Sequence, residues 1–214
     1  MNSWANSDSE FGVDEFRLGR KDLALMRKLT KAGTDHGKFM RMITVTCDIT
    51  APLYWWKEAD TYKVGTVANS CSTMHTITHK EFSFDDFSCE HLTPESIEAL
   101  RVIIRVLNFY RDSYVACKTG GKKPTDIPDT DTLKDIWWQI IQLLPSSYNQ
   151  RRTVQLNYQV LKNVYHARKN HKLDEWKHFC KFIEQLPYSE LITEEEKNVK
   201  SVPRMDIYTR KHRG

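Results

Sequence analysis

The sequence lacks any apolar run long enough to cross a membrane. Its longest runs cover residues 51–56, 102–104 and 136–138, and its mean hydropathy is −0.60, whereas a spanning helix needs about 20 apolar residues. The amino terminus is polar and acidic, which argues against a secretory signal peptide and an Arg-rich transit peptide. We therefore expect a cytoplasmic protein without a membrane partner.

Glycine, proline and paired cysteines are also scarce. The 214 residues include 8 Gly and 7 Pro, and 11% of them are aromatic. The glycine and proline content is too low for a fibrous or low-complexity chain, and the aromatic content is too high for a disordered one. The 5 cysteines form no C-x-x-C pair, which is typical of a reduced intracellular protein rather than a disulfide scaffold.

The excess of one charge sign is small. Lys and Arg number 32 and Asp and Glu number 28, so the formal net charge is +4. This charge is compatible with an anionic partner, but no nucleic-acid partner is expected without a basic patch or stripe. The excess lies in residues 197–214, where six basic residues accompany one acidic residue. We interpret this segment as a solvated basic tail, with contact to an anionic partner or a neighbouring subunit as the alternative.

The hydrophobic periodicity that is present predicts an α+β fold. Residues 43–50 alternate apolar and polar side chains, the pattern of a strand with two unlike faces. Helical spacing predicts helices over 21–32, from Pro52 through Trp56, and over 94–117, 132–144, 150–168 and 174–186. Residues 63–75 are interpreted as a loop and residues 118–131 as a linker.

Helix-end signals and composition predict the domain organisation. Thr93 is predicted as an N-cap with Pro94 at the first helical position, and Gly33 lies where a C-cap glycine belongs. Residues 1–20 have no clear period and are predicted to be a loosely ordered lead-in. A single α+β domain over 21–196 and the tail over 197–214 follow.

Two short motifs have the residue types of binding sites but not the right context. Cys71, His75 and His79 are four residues apart, which on a helix would place three metal ligands on one face. The intervening threonines favour a strand, in which one ion could not reach all three, so scattered polar residues are preferred and no metal is expected. Residues 119–123 are similar to a phosphate loop but lack the G-x-x-x-x-G-K-[ST] spacing, which favours a linker.

A third constellation lies on the predicted helix over 150–168. The spacing of Asn157, Asn163 and Arg168 would place them on adjoining sectors of that helix. Amide and guanidinium groups can hydrogen-bond rings, carbonyls and phosphates in fixed geometry. A solvated helix face is the alternative, and the spacing alone favours it.

The order and spacing of residues 21–186 resemble the flavin-dependent thymidylate synthases. That family has a histidine after a helix, a strand ending in Ala-Pro, and a helix before the signature R-H-R-x-x-S-x-N-E-x-S-x-R-Y. A Leu-Pro pair, an Asn, a Leu-x-Asn and an Arg follow later. The matching positions here are His36, Ala51-Pro52, Leu144-Pro145, Asn157, Leu161 with Asn163, and Arg168.

The chain departs from the family within the signature. Thr61-Tyr62-Lys63 stands where the family has Arg-His-Arg. The following residues keep Asn69 and Ser72 at the N-x-x-S spacing, but the glutamate and arginine are absent. Glu58 stands where the family has a glutamine, and Ile141 where it has an arginine before Leu-Pro.

The resemblance implies a fold, ligands and an assembly. The fold would be a central antiparallel sheet surrounded by long helices. The family binds FAD and dUMP between the subunits of a homotetramer, and it uses NADPH-reduced flavin to carry a methylene group from methylenetetrahydrofolate to the uracil ring, which gives dTMP. No protein nucleophile attacks the base, so the resemblance assigns no catalytic residue here.

The resemblance also implies site residues, position by position. The FAD-binding positions would be His36, Tyr62, Lys63, Asn69, Asn157 and Asn163. The substrate-binding positions would be Glu58, Ser72, Arg151 and Arg168.

Two functions follow, and the sequence leaves open whether the chain is an enzyme. The first is a divergent flavin-dependent thymidylate synthase-like protein that binds a nucleotide together with FAD. The second is a non-catalytic protein on the same fold that binds or sequesters nucleotides, of a kind that a phage could encode. The absent Arg-His-Arg favours the second function, whereas Ser72, Asn157, Asn163 and Arg168 indicate that a nucleotide pocket is retained in either.

Overall fold

The computed structural model describes residues 6–13, 16–70, 72–121, 127 and 132–194. In chain order its elements are β1 (Glu10–Phe11), β2 (Phe16–Arg17), α1 (Arg20–Lys31), a 3-10 turn (Lys38–Arg41), β3 (Thr44–Pro52), α2 (Leu53–Ala59), β4 (Thr66–Ser70), α3 (Thr73–Thr76), a second 3-10 turn (Phe84–Asp86), α4 (Pro94–Lys118), α5 (Leu133–Leu143), β5 (Asn149–Asn157), α6 (Tyr158–Arg168), α7 (Asp174–Gln185) and α8 (Glu190–Thr193). This mixture of helices with antiparallel strands confirms the predicted α+β class.

The chain divides into two compact units. The first contains residues 1–43 and 157–214, and the second contains residues 44–156. A single domain over 21–196 therefore stays a prediction. The basic tail lies outside the described residues, as does most of the linker over 118–131.

A three-stranded sheet with the order β3-β5-β4 organises the second unit. The strand predicted over 43–50 is confirmed as β3, whose residues alternate between exposed and half-buried up to Thr50. β4 and β5 are antiparallel, with Thr66 opposite Leu156 and Ser70 opposite Arg152. At the end of β3, the Leu53 amide donates to the Tyr148 carbonyl at 3.0 Å.

Two sequence predictions about this sheet are wrong. Residues 149–157 form the central strand β5 rather than the first half of a helix, and the helix begins at Tyr158. Residues 63–75 are not all loop, since they contain β4 and the short helix α3. Both errors have one physical cause: strand pairing satisfies the backbone polar groups of segments whose own side-chain pattern is ambiguous.

Helices α4 and α5 pack together in the second unit and follow the predicted spans closely. The Thr93 side chain caps α4 with Pro94 at its first position, and Thr132 forms a capping box with Asp135 at the start of α5. Their shared core contains Leu100, Ile104, Leu107 and Ile140 together with Ile77, Phe82 and Phe87.

Helix α6 lies at the centre of the first unit. Five of its apolar side chains are buried (Tyr158, Val160, Leu161, Val164 and Tyr165), and they are joined by Trp176, Cys180 and Ile183 of α7. An ion pair of 2.9 Å joins Arg27 of α1 to Glu190 of α8. Spacing at three and four residues along α6 and α7 therefore produces the core that it predicts.

The described part of the predicted lead-in contains two short strands. β1 and β2 pair as an antiparallel hairpin. The Asp8 carboxylate accepts the Asp22 amide at 3.1 Å and the Lys21 amide at 2.9 Å, and the Lys21 bond is the main cause of the lowered pKa of Asp8. A distant side chain thus caps the start of α1, while Gly33 adopts a positive φ of 108° after its end.

Replacing Tyr158 by phenylalanine should change how stability depends on pH. The buried hydroxyl donates to the Pro187 carbonyl, and burial raises the pKa of Tyr158 to about 12. Because an unfolded tyrosine ionises near pH 10, the native state loses stability as the pH rises from about 10 toward 12. Tyr158→Phe should cost about 1 kcal/mol at pH 8 and remove part of the alkaline decline.

Urea denaturation of both proteins at pH 8, 10 and 11 measures this difference. A variant whose free energy of unfolding declines above pH 10 as steeply as that of the parent would show that Tyr158 does not carry the effect.

Candidate functional site

The exposed face of the sheet carries a cluster of polar side chains from all three strands. The Arg151 guanidinium donates to the Asp48 carboxylate, which also accepts the Thr153 hydroxyl at 2.6 Å. Asn69 of β4 lies opposite Thr153. Since alternate residues of a strand share a face, Arg151 and Asn69 project from the same side of the sheet, with their Cβ atoms roughly 7 Å apart as diagonal neighbours.

The charges of this cluster are accessible to solvent. The Arg151 and Asp48 side chains are 65% and 44% exposed. The Thr153 hydroxyl and then the Arg151 guanidinium lower the pKa of Asp48. An exposed pair of this kind contributes little to stability, so a competing anion can take the place of Asp48 on Arg151 at small cost.

The neighbouring arginine lies on the opposite face and is engaged internally. Arg152 donates to the Asp60 carboxylate and to the Gln150 amide oxygen, both at 2.8 Å. Its guanidinium carbon lies 4.2 Å from the centroid of the Trp56 ring, and its side chain is 17% exposed. Stacking and paired hydrogen bonds together make Arg152 a structural cation.

Gln150 extends this network to the start of α3. Its amide nitrogen donates to the Thr73 hydroxyl at 2.7 Å, and its backbone carbonyl accepts the Trp56 indole N–H at 2.9 Å. A chain of side-chain hydrogen bonds therefore runs from Asp60 through Arg152 and Gln150 to Thr73. It ties β5 to both ends of the segment 61–72, in which four candidate residues lie.

Those four residues differ in their accessibility. Tyr62 is half-buried in the turn after α2, whereas Lys63, Asn69 and Ser72 are exposed. Ser72 is the N-cap residue of α3, and its carbonyl accepts the Thr76 hydroxyl at 2.9 Å. Glu58, the remaining candidate of the second unit, is half-buried on α2.

The other four candidates belong to the first unit. Asn157 is the N-cap of α6, and its side-chain oxygen accepts the Val160 amide at 3.0 Å. The Asn163 oxygen accepts from the Gln159 amide at 3.1 Å. The Arg168 guanidinium carbon lies 4.9 Å from the centroid of the buried Trp176 ring, and His36 is exposed in the turn after α1.

The structure changes the argument from helix sectors. Asn157 is not inside a helix, so the prediction that it shares adjoining helix sectors with Asn163 and Arg168 is wrong. Sequence reasoning missed Asp48 and Thr153 as partners of Arg151, and it did not separate Arg151 from Arg152. The period of two through Val154 and Leu156 was the available signal, since a strand places adjacent arginines on opposite faces.

The described residues contain neither a metal-ligand cluster nor a membrane-spanning helix. Within the described ranges, no three His, Cys, Asp or Glu side chains gather as the ligands of one metal ion would; Cys71, of the predicted Cys-His-His trio, lies outside those ranges. Lys122 and Lys123 of the phosphate-loop-like motif also lie outside them. Among the described helices, none combines the length and apolar content that spanning a bilayer requires.

Comparison with known proteins identifies the fold. No protein-family sequence model matches the chain, and no curated protein matches its sequence. Two crystal structures of the flavin-dependent thymidylate synthase ThyX from Helicobacter pylori, both with FAD and dUMP, are similar to it with TM-scores of 0.57 and 0.55. The fold is that of a flavin-dependent thymidylate synthase. The likeness covers 82% of this chain and 84% and 83% of the ThyX chains.

The sequence identities are 16% and 17%, and at this level the structural likeness shows the fold alone. The fold expected from the order of His36, Ala51-Pro52 and Leu144-Pro145 is thereby confirmed. The roles of the ten predicted site residues stay predictions.

Proposed function

We propose that this chain is a divergent flavin-dependent thymidylate synthase-like protein that binds a pyrimidine nucleotide, with dUMP as the reference ligand. The observation that carries the proposal is the exposed Arg151 on the sheet face, beside Asn69, in a fold similar to that of a ThyX with FAD and dUMP. Arginine binds a phosphate through two parallel hydrogen bonds. Arg151 can exchange Asp48 for such a phosphate because their pair is solvent-exposed.

The residues expected to hold FAD fit it through hydrogen bonds. Tyr62, Asn69, Asn157, Asn163 and His36 supply donors and acceptors suited to a flavin ring and a ribose. Lys63 is the exposed cation that would meet the pyrophosphate. When bound, FAD supplies the hydride transfer of the family reaction, which uses NADPH and methylenetetrahydrofolate.

The chain's own residues would then bind and orient the nucleotide. Arg151 and Arg168 would hold phosphate charge, and Glu58 and Ser72 would hydrogen-bond the base or sugar. A homotetramer in the cytoplasm completes the proposal, because the resemblance places the family's ligands between subunits.

A second candidate function is a non-catalytic protein that binds or sequesters nucleotides, including one encoded by a phage. The observation that favours it is the commitment of Arg152 to Asp60, Gln150 and Trp56. Residues 61–63 contribute a single cation, Lys63, at the positions where the family has two arginines. The ammonium group of a lysine cannot form the two parallel hydrogen bonds of a guanidinium. This difference weakens the binding of an anionic flavin more than it weakens the binding of a nucleotide.

An absorbance spectrum of the freshly purified protein distinguishes the two functions. Flavin bands, together with NADPH oxidation stimulated by dUMP, support the enzyme. A colourless protein whose melting temperature rises with dUMP supports the binder, since a ligand at 100 times its Kd stabilises the native state by about 2.7 kcal/mol. A colourless protein with no thermal response to dUMP, dTMP or uridine would rule out both.

Lys63→Ala should weaken flavin retention if flavin is present.

Replacing Arg168 by alanine should lower the affinity for dUMP at least tenfold, because a charged hydrogen bond is worth about 1.5–3 kcal/mol. The fold should persist, since Arg168 is half-buried and lies over Trp176 rather than within the core. Calorimetric titration with dUMP measures the loss. Lys169→Ala is the matched control, because it removes the same charge from the adjacent exposed position. Equal affinities for the two variants would remove Arg168 from the site.

A further inference from the structure

A cleft in the first unit has no role in the nucleotide proposal. It has a volume of about 290 Å³ and is bordered by the β1–β2 hairpin, α1 and Phe39 of the first 3-10 turn. Its walls consist of three phenylalanines, three leucines and Met26. Such a cleft can bury most of a small apolar ligand, and the flexible Met26 side chain can adjust to its shape.

The outer wall of this cleft exposes aromatic surface to solvent. The rings of Phe11 and Phe16 pack with their centroids 4.9 Å apart. These residues nevertheless remain 76% and 49% exposed. A planar ligand in the cleft can pack against these two exposed rings. The burial of their apolar surface favours binding.

The polar part of the cleft lining is held in place by hydrogen bonds. Asp22 of α1 accepts the Ser7 and Ser9 hydroxyls at 2.5 Å and 2.6 Å. Ser9 is itself held by the Gly19 amide, which donates to its hydroxyl oxygen at 2.9 Å. A Cβ at Gly19 would lie 2.1 Å from the Asp8 carboxylate, so this close approach requires glycine. The two serines therefore hold the Asp22 carboxylate in a preformed position.

The charge of the cleft selects the class of ligand. Of the described residues that border it, Asp22 is the one that carries a formal charge, and no Lys or Arg is among them. A carboxylate beside apolar walls attracts cations more strongly than it would in bulk water. The volume is roughly twice the ~150 Å³ that holds a benzene ring, which suits two fused rings.

We propose that this cleft is a second ligand site, which binds a small aromatic cation. The fused rings lie against Phe11, Phe16 and Met26, and the ammonium group pairs with Asp22. This assignment is independent of the nucleotide proposal, because it uses none of that proposal's residues.

Three naphthalene probes of nearly equal size test the charge selection. The full-length protein is titrated with 1-naphthylmethylamine, 1-naphthylmethanol and 1-naphthoate, and binding is followed by calorimetry. The cation should bind at least tenfold more tightly than the neutral alcohol, and the anion should bind more weakly than both. Equal affinities for all three, or no binding of the amine at millimolar concentration, would overturn the proposal.

Variants locate the bound cation. Leu25→Trp should fill the cleft and reduce the affinity for the amine at least tenfold, whereas Leu133→Trp, at a 41% exposed leucine of α5, should leave it unchanged. Asp22→Asn should remove the preference for the amine over the alcohol. Phe11→Ser changes a side chain that is 76% exposed, so its loss of affinity is readable even where Leu25→Trp fails to fold. Unchanged amine binding in Phe11→Ser and Asp22→Asn would place the cation elsewhere.

Discussion

Replacement of Trp176 by alanine is expected to lower the free energy of unfolding by about 3–5 kcal/mol. The Trp176 side chain is 1% exposed in the first turn of α7. Its ring lies 6.2 Å from that of Phe179 and beneath the guanidinium of Arg168. Truncation removes the largest fully buried side chain of the described core and leaves a cavity that rigid helices cannot close. Since the free energy of unfolding of a domain is about 5–15 kcal/mol, this loss is a large part of the total stability.

A second tryptophan provides the matched control for this measurement. Trp138 of α5 is 40% exposed, so Trp138→Ala should cost at most about 1 kcal/mol. Urea denaturation followed by far-UV circular dichroism suits both variants, because it does not depend on the fluorescence of the removed ring. If Trp176→Ala were no less stable than Trp138→Ala, the packing described for α6 and α7 would be incorrect.

Two adjacent arginines should respond oppositely to the same substitution. Arg152→Met is expected to cost about 2–3 kcal/mol of stability, because it removes two charged hydrogen bonds and a cation–π contact. Arg151→Met should cost less than about 1 kcal/mol, because its pair with Asp48 is exposed. The affinity for dUMP should instead depend on Arg151. Arg151→Met should lower that affinity about tenfold while the protein remains stably folded.

Denaturant melts and calorimetric titrations of both variants test this contrast. The methionines have similar bulk to the arginine stems, so the difference between the variants reports the face of β5 on which each guanidinium lies. Similar losses of stability in the two variants would contradict the strand geometry. Undiminished dUMP affinity in Arg151→Met would exclude the sheet face as the phosphate site without affecting the stability result.

Elements with local signals were predicted from sequence to within a few residues. α4 begins at Pro94 because the Thr93 cap is written in adjacent residues. β3 is recognisable because its faces differ in polarity at every step up to Thr50. The order of His36, Ala51-Pro52 and Leu144-Pro145 also sufficed to predict the fold that the ThyX comparison confirms.

Residues 149–157 show where local signals stop. Val154, Tyr158 and Leu161 fit a helical spacing, while Val154 and Leu156 fit a strand, so the sequence supports either assignment. The strand is chosen because β3 and β4, from distant parts of the chain, lie on both sides of it and satisfy its backbone groups.

The sequence by itself determined the fold class, the helix caps and the inventory of polar residues. Tertiary structure alone decided which of those residues share a face. It placed Arg151 with Asp48, Thr153 and Asn69 in solvent, and it placed Arg152 against Trp56 and Asp60. The physical reason is that the parity of a strand is set by its partners, and a change from helix to strand separates neighbouring side chains that a helix would hold together.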